Sequence, residues 1–291
     1  MRELMTIFGK EISDHFTSWR FVILFAITMV VGVVAIYIDA MYIRQTISDP
    51  RFIFLQLYTT SGQSLPLFIF FIAFFMPIVG IALGFDAINS ERNSGTMSRL
   101  LSQPIYRDAV INGKFLAGVA TIAVMLTSIV LLVGGMGIRM IGVAPTSEEV
   151  IRLLAFLIMS IIYSAFWLGL AILFSIFFQR VATSALASMA IWMLCVFLFV
   201  VPFFIQVEQV GFATMQASPI TLFWQIITVL LVPTYRPLGQ MMGSEAIPTS
   251  ALSIGQSLLT VWPYLVVIIA LTVVCFAISY AKFMREEIRS T

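Results

Sequence analysis

The sequence predicts an all-α integral membrane protein with six membrane-spanning helices. Hydrophobic residues make up 60% of its 291 residues and charged residues only 10%, whereas soluble domains carry about 25% charged residues. Charge-free runs such as Leu65–Phe85 and Phe115–Ile138 recur along the chain, and about 20 apolar residues suffice for a helix that crosses the hydrocarbon core. A large soluble protein would need a polar exterior that this sequence cannot supply.

The first 18 residues predict an amphipathic helix that lies in the membrane interface. Apolar side chains recur there at spacings of three and four, and polar side chains occupy the other face. Trp19 is expected to anchor the turn into the first span. The segment is too long and too mixed in charge for a cleavable signal peptide, and His15, the only histidine, is expected to be an ordinary interfacial side chain.

Residues 19–291 are then expected to form one transmembrane domain. The predicted spans are residues 19–38, 65–88, 114–139, 152–178, 181–205 and 257–281. Only Gln179 and Arg180 separate the fourth span from the fifth, which predicts a tight turn. Two longer connections remain, a charged region at 89–113 and an outer segment at 206–256.

The outer segment contains a thirteen-residue apolar stretch between Pro219 and Pro233. It is too short to cross a bilayer and is bounded by helix breakers. We interpret it as a re-entrant or interfacial helix before the sixth span. A cap that only packs over the outer ends of the spans fits the same pattern.

The distribution of lysine and arginine predicts the orientation, because cytoplasmic loops of membrane proteins are enriched in these residues. One side of the predicted topology collects eleven of them and the other side five. The eleven-residue side is therefore expected to be cytoplasmic, with both termini on it. The cytoplasmic group is Arg2, Lys10, Arg20, Arg92, Arg99, Arg107, Lys114, Arg180, Lys282, Arg285 and Arg289.

The spans show no internal energy source and no reaction centre. Their middles contain no ionisable residue, although ion-coupled carriers usually need one near the midplane. Asp86, Arg139, Arg152 and Lys282 lie near span ends, where side chains are expected to reach the interface. Gly113-Lys114 is followed by phenylalanine, so the phosphate-binding loop pattern fails. A passive channel or receptor is disfavoured because no polar pore-lining stripe is evident.

No metal site is predicted. Cys195 and Cys275 lie inside apolar runs, where cysteine behaves as a small hydrophobe. The chain has 16 methionines, which could suggest a copper site. However, no His or Cys accompanies the methionine pairs at 136/140 and 241/242 as a further ligand, and methionine also fills gaps in cores.

The charged region at 89–113 predicts a short amphipathic helix. Met97, Leu100, Leu101 and Pro104 share one face at helical spacing. The turn at 94–96 is expected to precede the helix, with Thr96 as its N-cap, and Pro104 is expected to end it. Such a helix fits a groove on a soluble partner, and an amphipathic loop lying on lipid fits the pattern equally well.

A spaced motif in this region resembles the signature of type-2 ABC transporter permeases, the ABC-2-type transmembrane subunits. The motif residues are Asp86, Ile88, Glu91, Arg92, Gly95, Thr96, Met97, Leu100, Leu101, Pro104 and Arg107, closed by Gly113-Lys114. The half-size, single-domain form resembles the branch that includes the copper-enzyme maturation permeases.

The resemblance implies a permease subunit of an ATP-driven exporter in the cytoplasmic or inner membrane. It implies a dimer, with itself or with a second permease, in which each protomer binds one cytoplasmic ATPase subunit, so that two copies are present. ATP and Mg would bind to that partner, so this chain is expected to hold no cofactor, to catalyse no reaction and to bind no nucleic acid. The alternative is a non-transporting scaffold that transmits ATPase motion to an extracytoplasmic partner.

The resemblance also implies roles for particular residues. Asp86 and Glu91 would lie at the cytoplasmic gate and exchange ion-pair partners with Arg92, Arg99 or Arg107. Positive-inside anchoring is the alternative for these charges. The residues implied in contacting or positioning the ATPase, near a coupling helix at 91–103, are Glu91, Arg92, Gly95, Thr96, Leu100, Pro104 and Arg107.

The second span carries two features that suit close packing and bending. Gly80 and Gly84 form a small-xxx-small pattern, which allows close helix approach, within the chain by default or in the dimer. Pro77, one turn earlier, is expected to kink the span. A hinge there would connect the cytoplasmic helix with the outer gate.

Overall fold

The computed structural model describes residues 2–45, 52–59, 67–96, 106–204, 218–232 and 251–285. All regular elements in these ranges are helices. They are α1 (Arg2–Thr17), α2 (Trp19–Gln45), α3 (Ile53–Thr59), α4 (Leu67–Gly84), α5 (Asn89–Asn93), α6 (Arg107–Ile141), α7 (Ser147–Phe177), α8 (Val181–Phe204), α9 (Pro219–Leu231) and α10 (Ile254–Arg285).

Six of the described helices, α2, α4, α6, α7, α8 and α10, are long and apolar enough to cross a membrane. The prediction of an all-α membrane protein with six spans is therefore confirmed. Several helices exceed the predicted spans, since α2 continues to Gln45 and α7 begins at Ser147. The turn between α7 and α8 is as short as Gln179-Arg180 predicted.

The six long helices run in alternating directions, which gives the bundle two ends. The α1 end carries α1, α5, the start of α6 and the turn between α7 and α8. The α3 end carries α3, the end of α6 and the starts of α7 and α10. The last turn of α10 returns to the α1 end, where the Lys282 ammonium lies 5.6 Å from the centre of the Phe177 ring.

Helix α7 is the centre of the bundle, and it packs against α4, α6, α8, α9 and α10. Trp167, Tyr163 and Phe156 on this helix are fully buried. Helix α4 approaches it closely at the predicted small-xxx-small pattern. A Cβ atom on Gly80 would lie 2.8 Å from the Ser164 carbonyl oxygen, and one on Gly84 would lie 2.9 Å from the Leu168 carbonyl oxygen. The two glycines therefore serve packing within the chain.

Helix α9 inserts into the bundle rather than only covering its end. At its beginning, the Ser218 hydroxyl donates to the carbonyl oxygen of Cys195, near the middle of α8. The Phe223 ring stacks on Tyr163 of α7 with centroids 4.0 Å apart. At its end, the Leu230 carbonyl accepts a hydrogen bond from Arg152. The helix thus runs from mid-bundle to the α3 end, as a re-entrant helix does, and a superficial cap does not fit.

Arg152 corrects one expectation from the sequence. The side chain was expected to reach the interface, but it is fully buried. Its guanidinium donates to Glu148, to the carbonyl oxygens of Leu230 and Leu252, and to the Ser257 hydroxyl. Arg152 therefore joins α7 to the end of α9 and the start of α10, where a cation also complements the partial negative charge of the α9 C-terminus.

Glu149, three residues earlier, joins α7 to α3. One carboxylate oxygen accepts from the backbone N–H groups of Phe54 and Leu55 at 3.0 and 3.3 Å. The other accepts from the N–H group of Thr146 at 2.8 Å, and Thr146 caps α7 in return. A single buried carboxylate thus satisfies donors at the beginnings of two helices.

Candidate functional site

A buried lysine holds two carboxylates together at the α1 end. The ammonium of Lys114, on α6, lies 2.9 Å from Glu11 of α1 and 2.9 Å from Glu91 of α5. The lysine side chain is only 5% exposed. A charge removed from water to this extent needs close opposite charges, so the three residues tie three helices to one point.

A second lysine extends this arrangement along α1. The Lys10 ammonium lies 3.0 Å from Glu11, 3.4 Å from Asp14 and 3.5 Å from Glu91. Lys10, Glu11, Asp14, Glu91 and Lys114 are called the charge cluster below. It contains three carboxylates and two ammonium groups, and both ammonium groups contact Glu91.

Gly113 explains how α1 comes close enough to form the cluster. A Cβ atom at this position would lie only 2.7 Å from Cγ2 of Ile7. Only glycine therefore lets α1 pack at this distance from α6, and the next residue, Lys114, then reaches the polar side of α1. The Gly113-Lys114 pair at the end of the motif thus has a structural explanation.

Asp86 forms a separate ion pair with Arg20 at the start of α2. The guanidinium of Arg20 also lies 5.2 Å from the centre of the Phe85 ring. This pair connects the end of α4 with the beginning of the first span. Among the described residues, Asp86 pairs with Arg20, and Glu91 pairs with Lys114 and Lys10. Arg99 lies outside the described residues, and an exchange of partners with Arg92, Arg99 or Arg107 stays a prediction.

The opposite side of α5 is held by the end of α7. The Ser175 hydroxyl accepts from the backbone N–H groups of Ile88 and Asn89 at 2.9 and 3.1 Å. The side chains of Asn89, Arg92 and Asn93 donate to backbone carbonyls at the end of α7 and just beyond it, those of residues 178, 176 and 179 respectively. Helix α5 is thus attached to α7 on one side and to α1 and α6 on the other.

A tight turn closes α5. Gly95 adopts a left-handed conformation with φ of 69°, which glycine tolerates without steric cost. The Thr96 hydroxyl donates to the Glu91 carbonyl oxygen at 3.3 Å and lies 2.9 Å from the Ser94 hydroxyl. The predicted turn is confirmed, and here Thr96 contributes to the end of α5.

Burial and neighbouring charges shift the pKa values of Glu11, Lys10 and His15 on α1. Burial opposes the charge on Glu11, but the ammonium groups of Lys114 and Lys10 outweigh it and hold the pKa of Glu11 below its usual value. Burial also opposes the charge on Lys10, and its carboxylate neighbours raise its pKa well above the ordinary value. Burial lowers the pKa of His15, although nearby carboxylates partly counteract this. Glu11 and Lys10 are therefore both charged at neutral pH.

The site surrounds a polar cavity of about 170 Å³, lined by the cluster together with His15, Asp86 and Ser90. The Oε2 atom of Glu91 is buried beside it and has no hydrogen-bond partner within the described ranges. The described residues contain no group of three or more His, Cys, Asp or Glu side chains arranged to hold a metal ion. Each of the two ammonium groups contacts both Glu11 and Glu91, so each of these carboxylates has two alternative cationic partners.

The structure brings some of the predicted site residues together. Asp86, Glu91 and Arg92 lie within the α4–α5 corner, Gly95 and Thr96 form the turn after it, and Arg107 is the first residue of α6. Leu100 and Pro104, and with them most of the predicted coupling helix, lie outside the described residues. The roles of all these residues in binding an ATPase remain predictions.

Sequence reasoning missed Lys10, Glu11 and Arg20 as partners of the motif, and it gave Lys114 no charge partner. A signal was present for Lys114, because a lysine directly before a long charge-free run is costly unless it is paired. No pattern in the sequence pointed to Glu11, which is 103 residues away from Lys114. The buried Glu149 did have a signal, since Thr146 and Glu149 show the spacing of a capping box.

Comparison with known proteins yields a family and one relative. The family model described as "ABC-2 family transporter protein" matches residues 5–288. A relative from Pseudomonas aeruginosa, described as "Probable ABC transporter permease protein NosY", is 30% identical over 129 residues. The matched region covers 43% of this chain and 46% of the relative, so the chain spans about half the length of that protein.

Proposed function

The chain belongs to the ABC-2 family of transporter proteins and is a membrane subunit of an ABC transporter, and we propose that it is an exporter permease driven through α5 by a separate ATPase. Permeases of this family work with an ATP-binding subunit. In the proposal, two such subunits bind ATP and Mg at the α1 end of a permease dimer. Both termini then lie in the cytoplasm, because eleven of sixteen lysines and arginines are expected on that side.

The single observation that carries the proposal is the buried contact of Lys114 with Glu91 and Glu11. It joins the segment after the second span to α1 and α6 through an ion pair that is hard to separate in a poorly hydrated site. Ser175 joins the same segment to α7. A push on α5 is therefore transmitted to α1, α6 and α7 together rather than absorbed by a loose loop.

Helix α7 extends this connection to the other end of the bundle. Its last turns hold α5, and its first two turns hold α3, α9 and α10 through Glu149 and Arg152. A rigid helix of 31 residues is about 46 Å long, which exceeds the ~30 Å hydrocarbon core. Motion at the ATPase side thus has a direct path to the α9 region, in addition to the proposed hinge at Pro77.

The proposal is tested with Glu91→Gln in the complex of the chain and its ATP-binding subunit. We expect the complex to assemble, because the substitution keeps the shape of the side chain. ATPase turnover in lipid nanodiscs should differ from the wild-type rate by at least about fivefold, since coupling free energies are typically 1–3 kcal/mol. Lys282→Gln, a cation at the same end outside the cluster, is the matched control and should leave turnover unchanged.

Two results would contradict the proposal. One is a Glu91→Gln complex with wild-type ATPase turnover and wild-type transport. The other is a chain that does not associate with any ATP-binding subunit. The alternative, a non-transporting scaffold, would use the same coupling site. Substrate-stimulated ATPase activity separates the two, because an exporter should show it and a scaffold should not.

A further inference from the structure

An apolar cavity of about 400 Å³ lies at the other end of the bundle, between α3, α6 and α7. Its walls include Phe54 and Tyr58 from α3, Val130 from α6, and Leu153 and Leu157 from α7. The volume falls within the ~300–1,000 Å³ of small-molecule sites. The coupling site lies at the α1 end, so this cavity is a separate feature.

Two adjacent glycines on α6 make room for the cavity. A Cβ atom on Gly135 would meet nothing within 4 Å, and one on Gly134 would lie 3.2 Å from the Tyr58 hydroxyl oxygen. That hydroxyl donates to the Val130 carbonyl oxygen at 3.1 Å, so its one donor is used within the wall. The cavity is therefore suited to hydrocarbon rather than to a polar ligand.

The cavity opens sideways toward the surroundings of the bundle. Leu131 and Leu154 at its rim are 69% and 54% exposed, and both belong to candidate membrane spans. Along α6 the lining extends from Thr127 to Ile138, which is about 16 Å of helix. One leaflet contributes about half of the ~30 Å hydrocarbon core, so the cavity has the length of a single acyl chain.

A cation follows the cavity lining along α6, at its Ile138 end. Arg139 follows Ile138 of the lining and lies one helical turn after Gly135, where the charge-free run of α6 ends. Its side chain is exposed, and no salt bridge of Arg139 is found among the described residues. The acidic residues at the start of α7 are already engaged, Glu148 with Arg152 at 2.8 Å and Glu149 with N–H groups of α3.

We propose that this cavity binds one acyl chain of an anionic phospholipid, whose phosphate is held by Arg139. The hydrocarbon wall attracts the chain of any lipid. The guanidinium, which has no ion-pair partner among the described residues, adds a charge-assisted contact with phosphate and an attraction for net negative charge. The site therefore selects anionic over zwitterionic lipids, and the proposal does not depend on whether the chain exports a substrate.

The test is lipid retention by the complex of the full chain and its ATP-binding subunit. The complex is purified in detergent with equal amounts of phosphatidylglycerol and phosphatidylcholine of identical chains, and retained lipids are counted by native mass spectrometry. We expect one phosphatidylglycerol per chain to be retained in preference to phosphatidylcholine. Arg139→Gln should lower this preference about three- to tenfold, and Arg139→Lys should keep most of it.

The cavity itself is tested by filling it. Gly135→Leu places a side chain into open space and should abolish retention of both lipids at this site. Gly255→Leu is the matched control, because Gly255 on α10 also has nothing within 4 Å of its Cβ position and lies away from the cavity. Equal retention of the two lipids by the wild-type chain, no retained lipid, or unchanged retention in Gly135→Leu would each overturn the proposal.

Discussion

The Tyr163 hydroxyl donates a hydrogen bond of 2.8 Å to the carbonyl oxygen of Ala73. Ala73 lies four residues before Pro77 inside α4, and proline has no N–H group to offer that carbonyl. Tyr163 of α7 thus supplies the donor that α4 lacks. Both Tyr163 and Ala73 are fully buried, so the bond satisfies the carbonyl that Pro77 leaves without a donor and fixes α7 against α4 at this point.

Tyr163→Phe should lower the free energy of unfolding by about 1–3 kcal/mol, because it leaves a buried carbonyl without a donor. Pro77→Ala restores the N–H group of α4, so the loss caused by Tyr163→Phe should shrink when both substitutions are present. Thermal unfolding of the four variants in one detergent forms the double-mutant cycle. Additive effects would mean that the tyrosine does not compensate for the proline.

Pro77→Ala alone should change transport more than assembly with the ATPase, because Pro77 is the proposed hinge of α4. Equal loss of transport and assembly would contradict the hinge.

Ser175→Ala should weaken the attachment of α5 to α7. The substitution leaves the buried N–H groups of Ile88 and Asn89 without their acceptor, and each unpaired donor costs about 1–3 kcal/mol of folding free energy. We expect faster hydrogen exchange in residues 86–96, measured by mass spectrometry, and a reduced effect of the permease on ATPase turnover. Ser160→Ala is the matched control, because the Ser160 hydroxyl only donates to the Phe156 carbonyl oxygen within α7 and its loss leaves no donor unpaired. Similar exchange in both variants would argue against this role of Ser175.

Arg152→Met should loosen α9 from the start of α10. It removes the donors to the Leu230 and Leu252 carbonyls and to Ser257, at about 1–3 kcal/mol for each buried acceptor left unpaired. Hydrogen exchange in residues 219–231 should therefore increase. Arg180→Met, which removes an exposed arginine in the turn between α7 and α8, should leave that exchange unchanged. An unaffected α9 in Arg152→Met would show that packing alone holds the re-entrant helix.

Stability should fall as the pH is lowered from 7 to 5.5, and His15 is the expected cause. Burial holds its pKa in the folded chain below the ordinary value, which is about 6.5. The unfolded chain therefore binds more protons in this range, and the stabilisation present above pH ~6.5 is lost as the pH falls toward the folded pKa. Carboxylates of Glu11, Asp14 and Asp86 and the ammonium of Lys114 face this imidazole.

The measurement is the unfolding temperature of the wild-type chain and His15→Gln at several pH values. His15→Gln should flatten the dependence between pH 7 and 5.5. Glu11, whose pKa is also lowered, loses its contribution only at more acidic pH, so this interval isolates the histidine. An equally steep decline in His15→Gln would assign the effect to other groups.

The motif from Asp86 to Lys114 was recognised from the sequence, but the contacts that explain its charged residues were not. The spacing of its residues identified the family, because all of them lie within one short stretch of the chain. The contact of Lys114 with Glu11 joins residues that two spans separate along the chain, and it depends on α1 crossing α6 at Gly113. Likewise, the sequence placed Arg152 near a span end, and only the packing of α7, α9 and α10 around it made it a buried connector.

The amino-acid sequence by itself determined the membrane class, the number of spans, the tight turn at Gln179-Arg180 and the family, because apolar length and motif spacing are properties of contiguous residues. The tertiary structure alone decided which charges meet at Lys114, that Ser175 holds α5, and that α9 enters the bundle. Each of these depends on atoms tens to a hundred residues apart coming within a few ångströms. Helical periodicity predicts which side chains share one face of a helix, but it does not predict which other helix that face contacts.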